Sequence, residues 1–287
     1  MRKIMSNHTK LQFPASYKFH KYALIHFEFF VKYAIIAGVD VELVSDNEQV
    51  FVKDDQLIFS CVINNQQVIV DYADHSTRTW SEHYPELKYF KFQTTEKNIP
   101  GIIPLGPPMV GVKKAGTRGA TLREYLDLKW NYCYVPGNSV LCKQLPNGAA
   151  TERRNLVHST LVENFNHVDI NANVDQLEFW KAHENCLTSV CVPGATNNMV
   201  DRGHIELFGL GVCTVSPMLY TRFPFDVVPS PGVHYIQCKD DYSDLIDVIN
   251  DLYNDKDRCK EIGNNARVFY DEYFAPKKYW QWIINNL

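Results

Sequence analysis

The sequence predicts an α/β protein of two domains, the second built on a doubly wound parallel sheet. Three observations lead there. The chain has 287 residues, 45% of them hydrophobic, enough for one large core or two modest ones of roughly 130 to 150 residues each. From about residue 128 to the end, apolar β-branched runs alternate with helical patterns, the signature of parallel strands joined by crossover helices. Ahead of that, strands and a helix alternate more loosely, and a stretch rich in Pro and Gly intervenes. The domains are placed at 1–126 and 127–287.

In chain order, residues 17–37 read as a helix ended by Gly38, followed by "DVELVSD" as a strand. The runs "QLIFSCVI" and "QVIVDYAD" flank the turn "NNQ", and "YFKFQTT" is a further strand. From Asn98 to Gly119, Pro and Gly recur at a spacing that no helix or central strand tolerates, which predicts a loop carrying Lys113, Lys114 and Arg118. In the second half "WNYCYVPG" reads as a strand, "ATERRNLVHSTLVENF" as a helix, "HVDIN" as a short strand and "QLEFWKAHE" as a helix. "CLTSVCVPG", "VCTVSP" and "VHYIQC" are further strands, with a loop and helix between the first two. "YSDLIDVINDLYND" is a helix with Ser243 as its cap, and two more helices close the chain.

The net charge of -4 offers no whole-chain attraction for nucleic acid or an anionic membrane, so any anionic ligand needs a local site. Eight cysteines lie mostly in apolar runs with no CxxC pair, the usage of buried thiols in a reducing compartment. No run approaches the roughly 20 apolar residues of a membrane span. The most apolar segment, "YALIHFEFFVKYAIIAG", is interrupted by His26, Glu28 and Lys32. These features predict a soluble cytoplasmic protein, monomer or homodimer, with neither nucleic acid nor membrane as partner.

The stretch "VPGATNNMVDRGHIELFGLGVCTVSP" (192–217) concentrates charge at the start of an apolar helix. It follows a strand, and in an open parallel sheet ligands bind beyond the carboxyl ends of strands. The first-turn amides, the helix dipole and Arg202 suit a diphosphate. Glu206, four residues on, suits a ribose diol, and Gly209 and Gly211 let the helix end. The plainer reading is an Arg202–Glu206 pair on a solvated face. A second basic pair, Arg153-Arg154, starts another helix, where cations oppose the dipole unless an anion is also present.

These pieces in this order resemble the nucleotide-sugar domain of GT-B glycosyltransferases: Arg153 or Arg154, then Gly194, Arg202, Glu206 and Gly211, then "HYIQCKDDYSDL" (234–245). The last segment is similar to the "HYVPV…D..DL" stretch of CAP10-like O-glucosyl and O-xylosyltransferases, relatives of the exostosins. The resemblance covers roughly residues 128–287. Compact enzymes of this kind occur among the capsid-glycan transferases of large algal viruses, which include a xylosyltransferase; for a viral chain the implied location is host cytoplasm. The chain is short for two Rossmann-like domains, and its first helix lacks the glycine-rich loop of many relatives.

The resemblance implies a GT-B fold, two Rossmann-like domains facing a central cleft. Residues 1–126 would bind a glycan acceptor and 127–287 the nucleotide-sugar donor, with the last helix crossing back. Arg202 and Arg153 or Arg154 would neutralise the diphosphate leaving group, Glu206 would bind ribose and His204 would sit near the phosphates or sugar, so that no metal and no cofactor beyond the donor is needed. The implied reaction is inverting transfer to a glycan hydroxyl, from UDP-xylose first, UDP-glucose second and GDP-fucose third. The base would come from the strand end "VIVDYADHST", with Asp74 first, His75 second and Asp71 third; an aspartate there also serves as a turn or cap residue. The 98–119 loop would be an acceptor-side flap. Neither a P-loop, a G-x-S-x-G elbow nor a G-x-G-x-x-G after a strand occurs, which weakens kinase, hydrolase and dehydrogenase readings. The competing class is a non-catalytic nucleotide or carbohydrate-binding protein on the same scaffold.

Overall fold

The structure, a computed structural model, describes residues 9–14, 21–44, 58–72, 84–92, 94, 101–106, 134–194 and 198–287. It is a mixed α/β protein that divides into two compact units. One comprises residues 1–108, 222–227 and 273–287, the other residues 109–221 and 228–272.

The first unit holds a six-stranded sheet ordered β2-β1-β3-β4-β5-β6. Its strands are β1 (Lys10–Pro14), β2 (Asp40–Val44), β3 (Ile58–Ile63), β4 (Gln66–Asp71), β5 (Lys88–Lys91) and β6 (Ile102–Pro104). The sheet is mixed and therefore departs from the parallel, Rossmann-like expectation for this half: β3 runs antiparallel to β1 and β4. The cause is local. Asn64 and Asn65 both have positive φ, 49° and 65°, the two-residue hairpin geometry whose twist matches paired antiparallel strands. Every position of β3 is buried. Helix α1 (Lys21–Ala37) packs against α7 (Pro276–Asn285), with the rings of Phe30 and Trp280 4.8 Å apart and those of Tyr33 and Tyr279 at 5.4 Å. Strand β6 forms inside the stretch read as loop. It is an edge strand of three residues ending in Pro104, the position where a missing amide is tolerated. Lys113, Lys114 and Arg118 lie outside the described residues.

The second unit holds five parallel strands ordered β11-β10-β9-β7-β8. They are β7 (Ser139–Leu141), β8 (Val168–Asp169), β9 (Cys186–Val190), β10 (Thr214–Ser216) and β11 (Ile236–Gln237). Helices α2 (Thr151–Asn164), α3 (Gln176–His183), α4 (Arg202–Leu210), α5 (Leu245–Asn254) and α6 (Lys256–Tyr273) connect and follow them. Counted by appearance in the chain, the strand order is 2-1-3-4-5, a doubly wound arrangement whose winding direction reverses between β7 and β9. Strand β9 is buried throughout.

Two sequence expectations shift here. Of the strand read in "WNYCYVPG", residues 130–133 lie outside the described residues and Tyr134 to Gly137 lie outside the ladder, with the buried Tyr134 phenol donating to the Leu187 carbonyl; the described strand is Ser139–Leu141. Helix α5 is preceded by Asp244 rather than capped by Ser243, whose amide donates to Asp241 while Asp244 accepts from the Lys239 amide. Helix α4 ends at Gly211 in the left-handed region, φ 68°. There the Gly211 carbonyl meets Gly263 of α6 so closely that a Cβ at 263 would lie 2.0 Å from the oxygen. Seven cysteines are described, all free and buried. Among the described residues no helix is long and apolar enough to cross a membrane.

Candidate functional site

Because all five strands of the second unit are parallel, their carboxyl ends share one edge. The loop after β9 and the segment joining β7 to α2 part at the reversal between these strands, the place where open α/β sheets bind ligands. The segment after β7 supplies Gln144, Arg153 and Arg154; the loop after β9 supplies Cys191, Gly194 and Asp201, with Arg202, His204 and Glu206 in α4.

Asp201 organises this edge. Its side chain accepts from the amides of Gly203 (2.7 Å) and His204 (3.4 Å), which caps α4. It also accepts from Gln144 Nε2 (3.1 Å), Arg154 Nη2 (3.4 Å) and the Cys191 thiol (3.7 Å). Burial alone would raise the Asp201 carboxyl, but the Arg154 guanidinium and the Gly203 amide outweigh it and hold it below the usual carboxylate range. Burial and the Asp201 charge push the Cys191 thiol up, so it remains a protonated donor. A Cβ on Gly203 would stand 3.0 Å from Asp201 Oδ1 and 3.2 Å from Cys191 Sγ, so this knot has no spare volume.

His204 is corrected by this geometry. Its ring is wholly buried; Nδ1 accepts the Asp201 amide at 3.1 Å, which leaves the Nε2 proton for Ser216 Oγ at 2.9 Å. It is the reciprocal partner of a capping box and faces no ligand. The same reasoning governs the close grouping of Cys191, Asp201 and His204, whose candidate ligand atoms lie within 4.8 Å of one another: each is already engaged in the cap. The α4 amides read as a diphosphate site are likewise taken by Asp201. Glu206 is corrected too, since its side chain is 3% exposed beside Arg202, Nε to Oε1 3.5 Å, and is not open to a ribose. The plainer reading of the pair, an i,i+4 contact, describes it better, although the acid is buried rather than solvated.

The adjacent arginines separate clearly. Arg154 is buried, and its guanidinium donates to the Leu145 and Val192 carbonyls, to Asn147 Oδ1 and to Asp201. Arg153 is half-buried and uses only Nη2, donating to the carbonyls of Pro193 (3.1 Å) and Gly194 (2.7 Å). Its Nε has no hydrogen-bond partner among the described residues. Burial pushes the Tyr242 phenol up, and the nearby Arg153 guanidinium draws it part of the way back. Gly194 thus acts through its carbonyl, and Arg202, with 41% of its side chain exposed, is a second cation near the reversal.

Of the base candidates, Asp74 and His75 lie outside the described residues. Asp71 is wholly buried, accepting from Lys91 Nζ at 2.8 Å and the Tyr89 hydroxyl at 2.7 Å. A carboxylate enclosed in a buried ion pair is a structural group, which removes it as a base.

Further along the same edge, beyond β10 and β11, lies an open depression of about 610 Å³ lined by Met218, Tyr220, Gln237, Lys239, Asp240 and Asp241. None of these was singled out from the sequence, although the "HYIQCKDD" run that supplies four of them was. The chain matches no family model and no curated protein.

Proposed function

We propose that the chain is a GT-B type glycosyltransferase that holds a nucleotide sugar at the carboxyl edge of the second unit's parallel sheet. The observation that carries this reading is Arg153, set at the reversal between β7 and β9 with only Nη2 engaged by the protein. Arg202 opens α4 just after the loop from β9, with 41% of its side chain exposed. Two guanidinium groups with donors to spare at a switch point suit a diphosphate, which Arg binds in a forked geometry.

The acceptor hydroxyl loses its proton to a base, for which Asp74 and His75 are the candidates, as its oxygen attacks C1 of the donor sugar. The bond from C1 to the phosphate oxygen breaks, its electron pair leaves with the nucleoside diphosphate, and Arg153 and Arg202 offset the charge that develops there. The sugar inverts, and two fixed cations perform the part a metal plays elsewhere. UDP-xylose is the first donor to test, then UDP-glucose and GDP-fucose.

The test is thermal unfolding of the purified chain against a panel of UDP- and GDP-sugars, with and without EDTA. One UDP-sugar should raise the melting temperature saturably, by the equivalent of about 2.7 kcal/mol at a hundredfold excess over Kd. EDTA should leave the rise intact, and Arg153→Ala should abolish it. No response to any donor removes the donor site and the reading with it. The enclosure of Asp71 favours a second reading, a nucleotide-sugar binder without turnover. Asp74→Ala separates the two: retained donor binding with lost transfer supports the enzyme, whereas no transfer by the parent chain supports the binder.

A further inference from the structure

We infer that the depression beyond β10 and β11 is a binding site for a neutral sugar ring, formed by Tyr220, Gln237, Lys239 and Asp240. This rests on the glycosyltransferase reading only for which substrate carries the ring. The walls are fixed by hydrogen bonds rather than left to loose loops. Asn198 holds a left-handed conformation, φ 72°, which asparagine adopts more readily than other residues with a side chain. Its Nδ2 donates to the Met218 carbonyl (2.8 Å) and to Asp240 Oδ1 (2.9 Å), and its own carbonyl accepts the Tyr220 amide (2.9 Å). The Tyr235 hydroxyl accepts the Leu219 amide at 3.0 Å, and Tyr242, φ 61°, turns the chain just past the acidic pair. The hydrogen bonds of Asn198 to both walls, with Tyr242 at positive φ beside them, mark a surface held in a set shape.

The lining selects the ligand class. Lys239 against Asp240 and Asp241 gives one positive and two negative charges, a net of -1, which disfavours phosphate. The acids do not form an open cation cage: Asp240 is held by Asn198, and Asp241 Oδ1 accepts the Ser243 amide at 3.0 Å, with an ammonium group beside them. What remains is a mixed set of donors and acceptors next to Tyr220, a residue 39% exposed. Carboxylates accept from vicinal hydroxyls, while amide and ammonium groups donate to them. The ring face of Tyr220 receives the C–H face of a pyranose. Few convergent polar groups around an apolar plate in a concave site is the usual form of a small-ligand pocket.

The ring could belong to the acceptor glycan or to the donor, and the experiment distinguishes them. The full chain is titrated calorimetrically with xylobiose, cellobiose, UDP and UDP-xylose, as the parent and as Tyr220→Ala and Lys239→Ala. Both residues are exposed, so each variant should melt within about 2 °C of the parent. The expected result is saturable sugar-dependent binding weakened about tenfold in Tyr220→Ala. Loss in the disaccharide arm assigns the ring to the acceptor; loss confined to the gain of UDP-xylose over UDP assigns it to the donor. If neither arm responds to either variant, or no disaccharide binds and UDP-xylose binds no tighter than UDP, the inference is overturned. If UDP fails to bind while a disaccharide binds and the variants weaken it, the glycosyltransferase reading falls and the sugar site stands.

Discussion

The two halves of the second unit's carboxyl edge are finished in opposite ways. Between β7 and β9 the chain fills the edge with its own groups: Asp201 gathers two amides, an amide side chain, a guanidinium and a thiol, beside a half-buried Arg153 and an Arg202 whose side chain is 41% exposed. Beyond β10 and β11 the edge stays hollow, with polar groups fixed at its rim. The difference teaches that a charged residue at a strand end is not thereby a ligand group. The closed half sets the shape of the loops, and the open half and these two arginines are left for chemistry.

The contrast breaks most visibly at Asp201. Replacing it with Ala leaves Arg154 and the α4 amides without their acceptor in a buried site and should cost about 3–5 kcal/mol, read as a lower urea midpoint. Asp201→Asn, which keeps a capping oxygen, should lose less. Because the Asp201 carboxyl is held low when folded, its contribution is full above the unfolded pKa of about 3.9 and is lost as pH falls through the folded value; Asp201→Asn should remove that acid-side loss.

A smaller change on a different axis comes from His183. Burial pushes it down to about 4, and its ring donates from Nδ1 to the Phe179 carbonyl (2.6 Å) while Nε2 meets Ser189 Oγ (3.1 Å). Since the unfolded chain takes up the proton near pH 6.5, stability should fall as pH drops from about 6.5 to 4, by up to about 3 kcal/mol. A His183→Gln variant should be less stable at neutral pH but lose less stability across that window, the rest of the fall coming from His158 and His234, which burial also pushes down. Gly203→Ala should cost about 1–3 kcal/mol by crowding Asp201 and Cys191. Smallest of all, Arg153→Ala should shift unfolding by less than about 1 kcal/mol, while removing donor-induced stabilisation. A large loss of stability there would place Arg153 in the closed half and undo the distinction.

The sequence made the second unit more readable than the first. Strand followed by helix is written plainly in "CLTSVCVPG" and in "YSDLIDVINDLYND", because parallel strands buried on both faces are continuous apolar runs. In the first unit β1 went unread: five residues of "KLQFP" are too few to establish a period, and their strand identity comes from pairing with β2 and β3. At the site, the positions of Arg153, Arg154 and Arg202 followed from the strand-loop-helix pattern, but their exposure did not, and Asp201 went unread as the residue that organises them. Arg153 and Arg154 are neighbours with opposite surroundings, decided by the loop after β9. The burial of His204 depends on Ser216, twelve residues on in β10. One local signal was present: an aspartate just before the helix, with a side chain capable of reciprocal bonding three residues later, is the spacing of a capping box.

The contact between Gly211 and Gly263 reaches beyond this molecule. A hydrogen atom at residue 263 is all that separates the α6 backbone from a carbonyl of the preceding crossover. In a randomly mutated library, or among diverged copies of the gene, exposed neighbours such as Glu261 and Asn264 can drift freely. Position 263 should instead accept no replacement without moving a whole helix. Counting which codons survive there would measure how rigidly heredity has been made to follow one interatomic distance.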